Sequence, residues 1–521
     1  MKYPAIALCA AICLSFSSCQ KFGNQNMNST KSFNPKSGVY YSLFVRSFAD
    51  SDGDGIGDFN GIISKLDYIE SLGVSGIWLL PIFASHSYHG YDVDDYYQTN
   101  ADYGSVEDFE RLCASCREKG IAVILDMPLN HSSVHNAWFV ESTDPNSRRR
   151  AWYRWTDGRD LSVNLKSVAW NHKVWNELGG SYYSGLYYHG MPDFNHDNPD
   201  LRDEFKKVLK FWLEKGASGF RFDAANHLYD TQKISSEIKD GQERAVNFWK
   251  EMTSFVYELN PEAYMVGEVW DTAGVRADYM RALPSTFHFD LGTKIIAAIK
   301  NQSASNNALA KALENDYALA AAKNPDFIDA PFLTNHDQNR FALQFKNDAE
   351  CIQLAASMYL FLPGIPFVYY GEELGMNGAK PDEQIRTPFL WSAQDGGDKM
   401  QTKWIESKYN AKTVPADVQS EQKNSILNFY RRAIGFRTQN AAAFDGVFEP
   451  FQTDNPAVVS WRIKPSGKKG LVCFFNLSDK EQAVKNPQEE GAKILFSSKK
   501  SKVDKESLFL PARCALLWGE L

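Results

Sequence analysis

From Phe59 to Leu72 apolar residues recur at helical spacing, at Ile62, Ile63, Leu66, Ile69 and Leu72, and Gly73 follows as a stop. Val74 to Leu80 is then an unbroken apolar run closed by Pro81, the pattern of a strand buried on both faces. The same pair returns downstream. A helix over about Val106 to Lys119, ended by Gly120, precedes a strand from Ile121 to Leu125. Asn198-Pro199 opens another helix, with Leu201, Phe205, Val208, Leu209, Trp212 and Leu213 on one face. Gly216 stops it, and a strand carrying Phe220 and Phe222 follows. Further strand-like runs are Val39 to Phe48, Ala263 to Val266, Thr286 to Leu291, Phe327 to Phe332 and Ile365 to Tyr370. The alternation predicts an α/β fold with a parallel sheet, a closed (β/α)8 TIM barrel. From pattern alone, a doubly wound open sheet is the other arrangement.

Two stretches break this rhythm. Residues 131–190 are rich in Trp, Tyr, Asn and Ser with few helical periods, and read as a domain inserted after the third strand. From residue 443 to 521 the pattern becomes short alternating strands, among them Ala457 to Ile463, Gly470 to Phe475 and Ala492 to Phe496. These predict a C-terminal all-β sandwich domain. Residues 37–130 and 191–442 are left for the barrel.

The N-terminus follows neither rhythm. Lys2 precedes an apolar run from Pro4 to Phe16, too short to span a bilayer and built like the core of a signal peptide. The small residues before Cys19 resemble a bacterial lipoprotein box, with 1–18 removed and Cys19 lipidated as the new N-terminus. An ordinary secretion signal cut nearby is the alternative, and both readings export the protein. Residues 19–36 are polar, without an apolar period, and read as a flexible tether to the membrane.

With 521 residues the chain is too long for one core, and its 13 Trp, 24 Tyr and 34 Phe give an aromatic surplus suited to packing and to stacking on sugar faces. A net charge of −8 disfavours a broad nucleic-acid surface. Five cysteines follow Cys19, an odd number that argues against a disulfide framework. Cys113 and Cys116 form a CxxC within a helical pattern, without a second pair or histidine to complete a zinc site, and read as helix packing.

Candidate chemistry collects where the strands end. Arg221 lies two residues before Asp223, and a guanidinium beside a carboxylate favours its ionised form. That suits a nucleophile at a sugar carbon, and it equally describes a structural ion pair. Asp126 to His131, Arg221 to His227, Glu268 and Asn335-His336-Asp337 all fall within or directly after strand-like runs, the positions that a barrel gathers at its C-terminal mouth. Asp50, Asp52, Asp54 and Asp58 alternate with glycines just after the first strand. Such carboxylates repel unless a cation neutralises them, so the loop is a candidate Ca2+ site, with Ile56 inside it.

These motifs resemble glycoside hydrolase family 13, the α-amylase family, from about Val39 to the end of the chain. Asp126-Met127-Pro128-Leu129-Asn130-His131, Gly219 to His227, Gly267-Glu268-Val269-Trp270 and Phe332 to Asp337 are similar to its four main signatures. Met191-Pro192-Asp193-Phe194-Asn195, Gly364 to Gly371 and His89-Gly90-Tyr91-Asp92 resemble three further segments. The resemblance implies Asp223 as nucleophile, Glu268 as acid and base, and Asp337 as stabiliser of the distorted sugar. It implies that Arg221 aligns Asp223, that His131 and His336 bond sugar hydroxyls, and that Tyr91 stacks beneath the ring, with His89, Asp92 and Arg340 as neighbours. It suggests a second cation held by Asn130, Asp193 and His227. Ala224 after the nucleophile points to α-1,4 bonds, while Asn226 and Arg386-Thr387-Pro388 resemble intermediary and glucosidase-like members. The implied protein is a monomeric retaining hydrolase of starch fragments and maltooligosaccharides; an α-1,6-glucosidase, neopullulanase or glucanotransferase uses the same residues, and degenerate relatives only bind glycans.

Overall fold

A computed structural model describes residues 33–230, 240–393, 397–467 and 470–521. The expected signal segment, Cys19 and nearly all of the expected tether lie outside the described residues. Eight parallel strands form one sheet: Tyr40–Leu43, Gly76–Leu79, Ala122–Met127, Gly219–Phe222, Tyr264–Gly267, Ser285–Phe287, Ile328–Ala330 and Phe367–Tyr369. The first seven pair in chain order, and the eighth pairs with the first, Phe367 opposite Tyr40. The seventh and eighth are joined by bonds from Ile365 N to Asp329 O (2.8 Å) and Phe367 N to Pro331 O (2.9 Å). The sheet is therefore a closed barrel, and the open doubly wound arrangement is excluded.

Close approach between strands leaves no room for a side chain at Gly219, where a Cβ would stand 1.8 Å from Tyr264 O. The helices cover the outside as their apolar stripes require. Pro199–Glu214 is capped by Asn198, whose side chain accepts from Leu201 N, and buries Leu201, Phe205, Val208, Leu209 and Trp212. Each such side chain contributes roughly 1.5–3 kcal/mol. Cys113 and Cys116 are buried on Val106–Glu118 and unpaired, in keeping with a packing role.

Two expected elements come out differently. The run from Val39 to Phe48 is a strand only over Tyr40–Leu43, and Val45–Phe48 turns into one helical turn. That turn carries Ser47 O to Phe389 N (2.8 Å), so tertiary contact overrides β-propensity. The helix expected over Phe59 to Leu72 is divided at Lys65 into Phe59–Ser64 and Leu66–Leu72. Lys65 N bonds both Gly61 O and Ile62 O there, a tightened turn, and its ammonium reaches Asp398 (2.6 Å).

After the third strand the chain leaves the barrel and folds a small layer over its mouth. Trp155–Thr156, Ser181–Ser184 and Trp175–Leu178 form an antiparallel sheet, and Val168–Ala169 pairs with His172–Lys173 as a separate short hairpin. Bridges between His131 and Asp193 and between Tyr153 and Phe194 close the neck.

The C-terminal part has two antiparallel sheets of five and three strands. Period-two alternation explains how they sit. Along Val458–Pro465, Val459, Trp461 and Ile463 join the core shared with the barrel, and Trp461 Nε1 donates to Phe361 O (3.3 Å). Val458, with Val472 and Phe474, turns the other way and packs with Val484, Leu508 and Leu510 of the second sheet. Among the described residues, no helix is long and apolar enough to cross a membrane.

Candidate active site

The strand ends bring the expected carboxylates to one guanidinium. Arg221, on the fourth strand, has no solvent exposure. Its Nη1 bonds Asp126 Oδ1 (2.7 Å) and Asp223 Oδ1 (2.6 Å), and its Nη2 lies 2.8 Å from Glu268 Oε2. Asp223 and Glu268 thus share one guanidinium, the first on Nη1 and the second on Nη2. Strand order dictates this meeting, because the fourth strand lies between the third, which carries Asp126, and the fifth, which ends before Glu268. Directly after Asp223 the backbone enters the left-handed region at Ala224 (φ +48°), and Ala224 N then donates to Glu268 Oε2 (2.9 Å). A strained residue whose N–H holds a carboxylate is backbone shaped for a site.

Three buried carboxyls around one guanidinium cannot all ionise. Burial raises Asp126 to about 8 against the pull of Arg221. Burial, with repulsion from Asp223 and Asp337, also raises Glu268 above its ordinary value. The expectation that Arg221 alone depresses Asp223 is corrected. Loss of water outweighs the guanidinium, and Asp223 too is raised.

A second set completes the pocket. Tyr91 and His336 stack at 12° with centroids 5.6 Å apart, and the Tyr91 hydroxyl lies 2.6 Å from His336 Nε2 and donates to Asp126 Oδ2 (3.0 Å). Asp337 lies 3.1 Å from His336 Nε2 and accepts from Arg386 Nη2 (2.9 Å). Burial pushes Asp337 upward, yet His336 and Arg386 hold it well below the carboxylate range. His131 is buried with Nδ1 on Asn130 Oδ1 (3.1 Å), its Nε2 has no hydrogen-bond partner among the described residues, and burial lowers it to about 4. It therefore stands as a neutral imidazole able to meet a hydroxyl.

The remaining expected residues are placed as follows. His89 Nδ1 accepts from Tyr91 N (3.2 Å). Asp92 is buried beneath that loop, accepting from Ser85 Oγ (2.8 Å) and Ser87 Oγ. Arg340 is not at the carboxylates: its Nε and Nη1 donate to Ile385 O (2.8 Å) and Tyr370 O (2.6 Å), and it braces the loop after the eighth strand. Arg386 instead bonds Asp337. Its motif was visible in the sequence, but it lies outside any strand or helix, after the short turn Asp382–Ile385, where no periodicity marks a role. Asp126 opened one of the strand-end clusters but was given no role of its own, though an acid inside an apolar strand is itself a signal.

Two buried carboxyls held by the two Nη atoms of one guanidinium are neighbours, as the retaining route of glycosidases requires. The chain matches the family described as "Alpha amylase, catalytic domain" over residues 42–446. It belongs to the α-amylase family. It is 40% identical over 478 residues to Alpha-amylase 3 of Dictyoglomus thermophilum, covering 91% of each chain. It is 34% identical to a 4-alpha-glucanotransferase of Thermotoga neapolitana, over 85% of this chain and 96% of that one. The crystal structure of an alpha-amylase from H. orenii superposes with a TM-score of 0.85 at 37% identity, covering 93% of this chain and all of that one. This protein is accordingly an α-amylase-family glycoside hydrolase.

Calcium is common in the α-amylase family, and the acidic loop fits a hard cation. Ligand oxygens of Asp50, Asp52 and Asp54 lie within 4.8 Å of one another. The loop is already turned to present them, since Asp50 accepts from Gly53 N (2.7 Å) and Gly55 N (2.8 Å), and Asp54 from Ile56 N (2.7 Å). Asp58 caps the next helix, taking Ser51 N (2.6 Å) and Gly61 N (2.8 Å). At the suggested second cation position, Asp193 accepts from Ser184 Oγ and from Leu186 N (3.0 Å), and His227 lies edge-on to Trp170 and Tyr187. The group of His288, Asp290 and Asp316 already holds a cation, the ammonium of Lys294, at 2.7 Å from Asp290 and 3.0 Å from Asp316.

Proposed function

We propose that the protein is a retaining α-1,4-glucan hydrolase acting on starch fragments and maltooligosaccharides. The observation that carries this reading is one buried guanidinium, that of Arg221, holding Asp223 on Nη1 and Glu268 on Nη2. Burial and the neighbouring carboxylates favour the protonated form of Glu268, while the Arg221 guanidinium pulls Asp223 toward its ionised form. Asp223 attacks the anomeric carbon and forms a glycosyl ester, while Glu268 gives its proton to the departing glycosidic oxygen. Glu268 then removes a proton from water, whose oxygen displaces Asp223, and two inversions give net retention. Tyr91 supports the ring from below. His131 and His336 bond its hydroxyls, and Asp337 stabilises positive charge as it develops at the anomeric centre.

Transfer to a second sugar needs the same ester and a different acceptor, and the 4-alpha-glucanotransferase relative makes that the second reading. An α-1,6-glucosidase is the third. Products from maltoheptaose, panose and pullulan separate them. Release of shortened α-1,4 oligosaccharides supports hydrolysis, larger oligosaccharides support transfer, and attack on panose alone contradicts the α-1,4 assignment.

Ca2+ is proposed at Asp50, Asp52, Asp54 and Asp58 with the Ile56 carbonyl, where it would hold the loop after the first strand. Export, with lipid attachment at Cys19, is proposed from the N-terminal segment. In bacterial cells Cys19→Ala is expected to move the protein from the membrane to the soluble fraction.

A further inference from the structure

We propose that His86, His135 and Asp94 bind a divalent transition metal of the zinc class, with Asp92 orienting His86 from behind. His86 and Asp94 flank the segment after the second strand that carries Tyr91, and His135 lies at the start of the inserted segment. The two segments already meet, because Ser133 N and Asn136 Nδ2 both donate to Val93 O (3.0 and 3.1 Å). An ion here would tie the segment that carries Tyr91 to the layer over the barrel mouth.

The His86 imidazole has a carboxylate at each edge. Its Nδ1 lies 3.3 Å from both Oδ1 and Oδ2 of Asp94, and its Nε2 lies 3.4 Å from Asp92 Oδ2. A neutral imidazole has one N–H, so it donates to only one carboxylate while its other lone pair faces an anion. An imidazolium bonded to both would draw them in to about 2.7–2.9 Å. Two ligand atoms at about 2.0–2.1 Å from a tetrahedral ion stand about 3.3–3.4 Å apart, which is the spacing between His86 Nδ1 and Asp94. Asp92 supplies the support behind the ring. It is 1% exposed, Ser85 and Ser87 bond its Oδ1, and its Oδ2 is buried with no hydrogen-bond partner among the described residues. A metal-bound imidazole gives its remaining N–H to a carboxylate so placed. His135 brings the second nitrogen. Its ring is exposed, edge-on to that of His86 with centroids 4.4 Å apart, and makes no hydrogen bond among the described residues, so it is free to turn toward Asp94. His89 is not in the set, since its Nδ1 already accepts from Tyr91 N. Two imidazoles and a carboxylate suit zinc, whereas calcium takes oxygen ligands.

The test titrates ZnCl2 into the full chain, stripped by chelation and kept in excess Ca2+ so that zinc does not compete for the acidic loop. Calorimetry is expected to count one Zn2+ per chain, and the melting temperature should rise by about 2–3 °C at 100 times the Kd. His86→Asn and His135→Asn should each weaken Zn2+ at least about tenfold, since even a group that only supports a ligand is worth 10- to 100-fold. Both should lose the rise in melting temperature, and without Zn2+ both should keep kcat/KM on maltoheptaose within about twofold of wild type. His172→Asn, which removes an exposed histidine of the inserted hairpin, should bind Zn2+ as wild type does. Absence of Zn2+ binding to the wild-type chain, or an affinity unchanged by His86→Asn or His135→Asn, overturns the proposal. So does an affinity lost in His172→Asn.

Discussion

Arg386 offers the sharpest test of how the pocket holds its charges. Its guanidinium is 5% exposed, donates to Asp337 Oδ1 at 2.9 Å, and donates through Nε to His336 O at 3.0 Å. Replacing it with methionine removes one hydrogen bond to a charged group, worth about 1.5–3 kcal/mol, and leaves the packing volume nearly intact. At about 1.4 kcal/mol per decade this is roughly a 10- to 150-fold loss in kcat/KM. A pH effect accompanies it. Asp337 titrates below its unfolded value, so its ionised form stabilises the fold above the unfolded pKa of about 3.9, and that contribution is lost as pH falls through the lower folded value. Without Arg386 the folded value rises, this stability shrinks, and the acidic limb of activity moves to higher pH. Arg386→Lys keeps the charge but cannot hold Asp337 and His336 O together, and should fall between. The assay is a pH profile of kcat/KM on maltoheptaose for the three proteins, with melting temperatures. An Arg386→Met enzyme within twofold of wild type and with an unmoved acidic limb refutes the reasoning.

Four further outcomes are expected. Glu268→Gln should lower kcat on maltoheptaose by about 10²–10⁴, and much less on α-maltosyl fluoride, whose leaving group needs no proton; steady-state kinetics on both substrates checks this. Chelation should lower the melting temperature, because an ion bound at 100 times its Kd adds about 2.7 kcal/mol. Asp52→Ala should melt at the chelated temperature and ignore EDTA in calorimetry. Gly219→Ala should destabilise by about 1–3 kcal/mol in denaturant titration, since its Cβ would stand 1.8 Å from Tyr264 O. Finally, His131, pushed down to about 4, stays neutral through the working range, so His131→Gln should lower activity without moving any limb of the profile above pH 5.

The barrel was legible because each buried parallel strand is an apolar run and each covering helix a 3.6-residue stripe. Pro199–Glu214 shows both the stripe and its Asn198-Pro199 start. Legibility ended where tertiary contact decides. Val45–Phe48 carries a β-type sequence yet becomes a helical turn because Ser47 O meets Phe389 N, more than 300 residues away. The carboxylate cluster could be read from strand ends, since parallel strands deliver successive C-terminal residues to one mouth. Arg386 could not be placed, because its partnership with Asp337 runs through an irregular segment. The direction of the Asp223 shift was hidden too. The neighbouring arginine is visible in the sequence, but the burial that outweighs it belongs to the fold.

The central claim is a covalent bond between Asp223 and the sugar. Incubating Glu268→Gln with a 5-fluoro-α-glucosyl fluoride, then digesting and weighing the peptides, reads it directly. The account predicts one glycosyl mass on the peptide containing Asp223, and wild-type enzyme releasing product first as the α-anomer. No adduct, an adduct on another side chain, or product emerging as the β-anomer would contradict it.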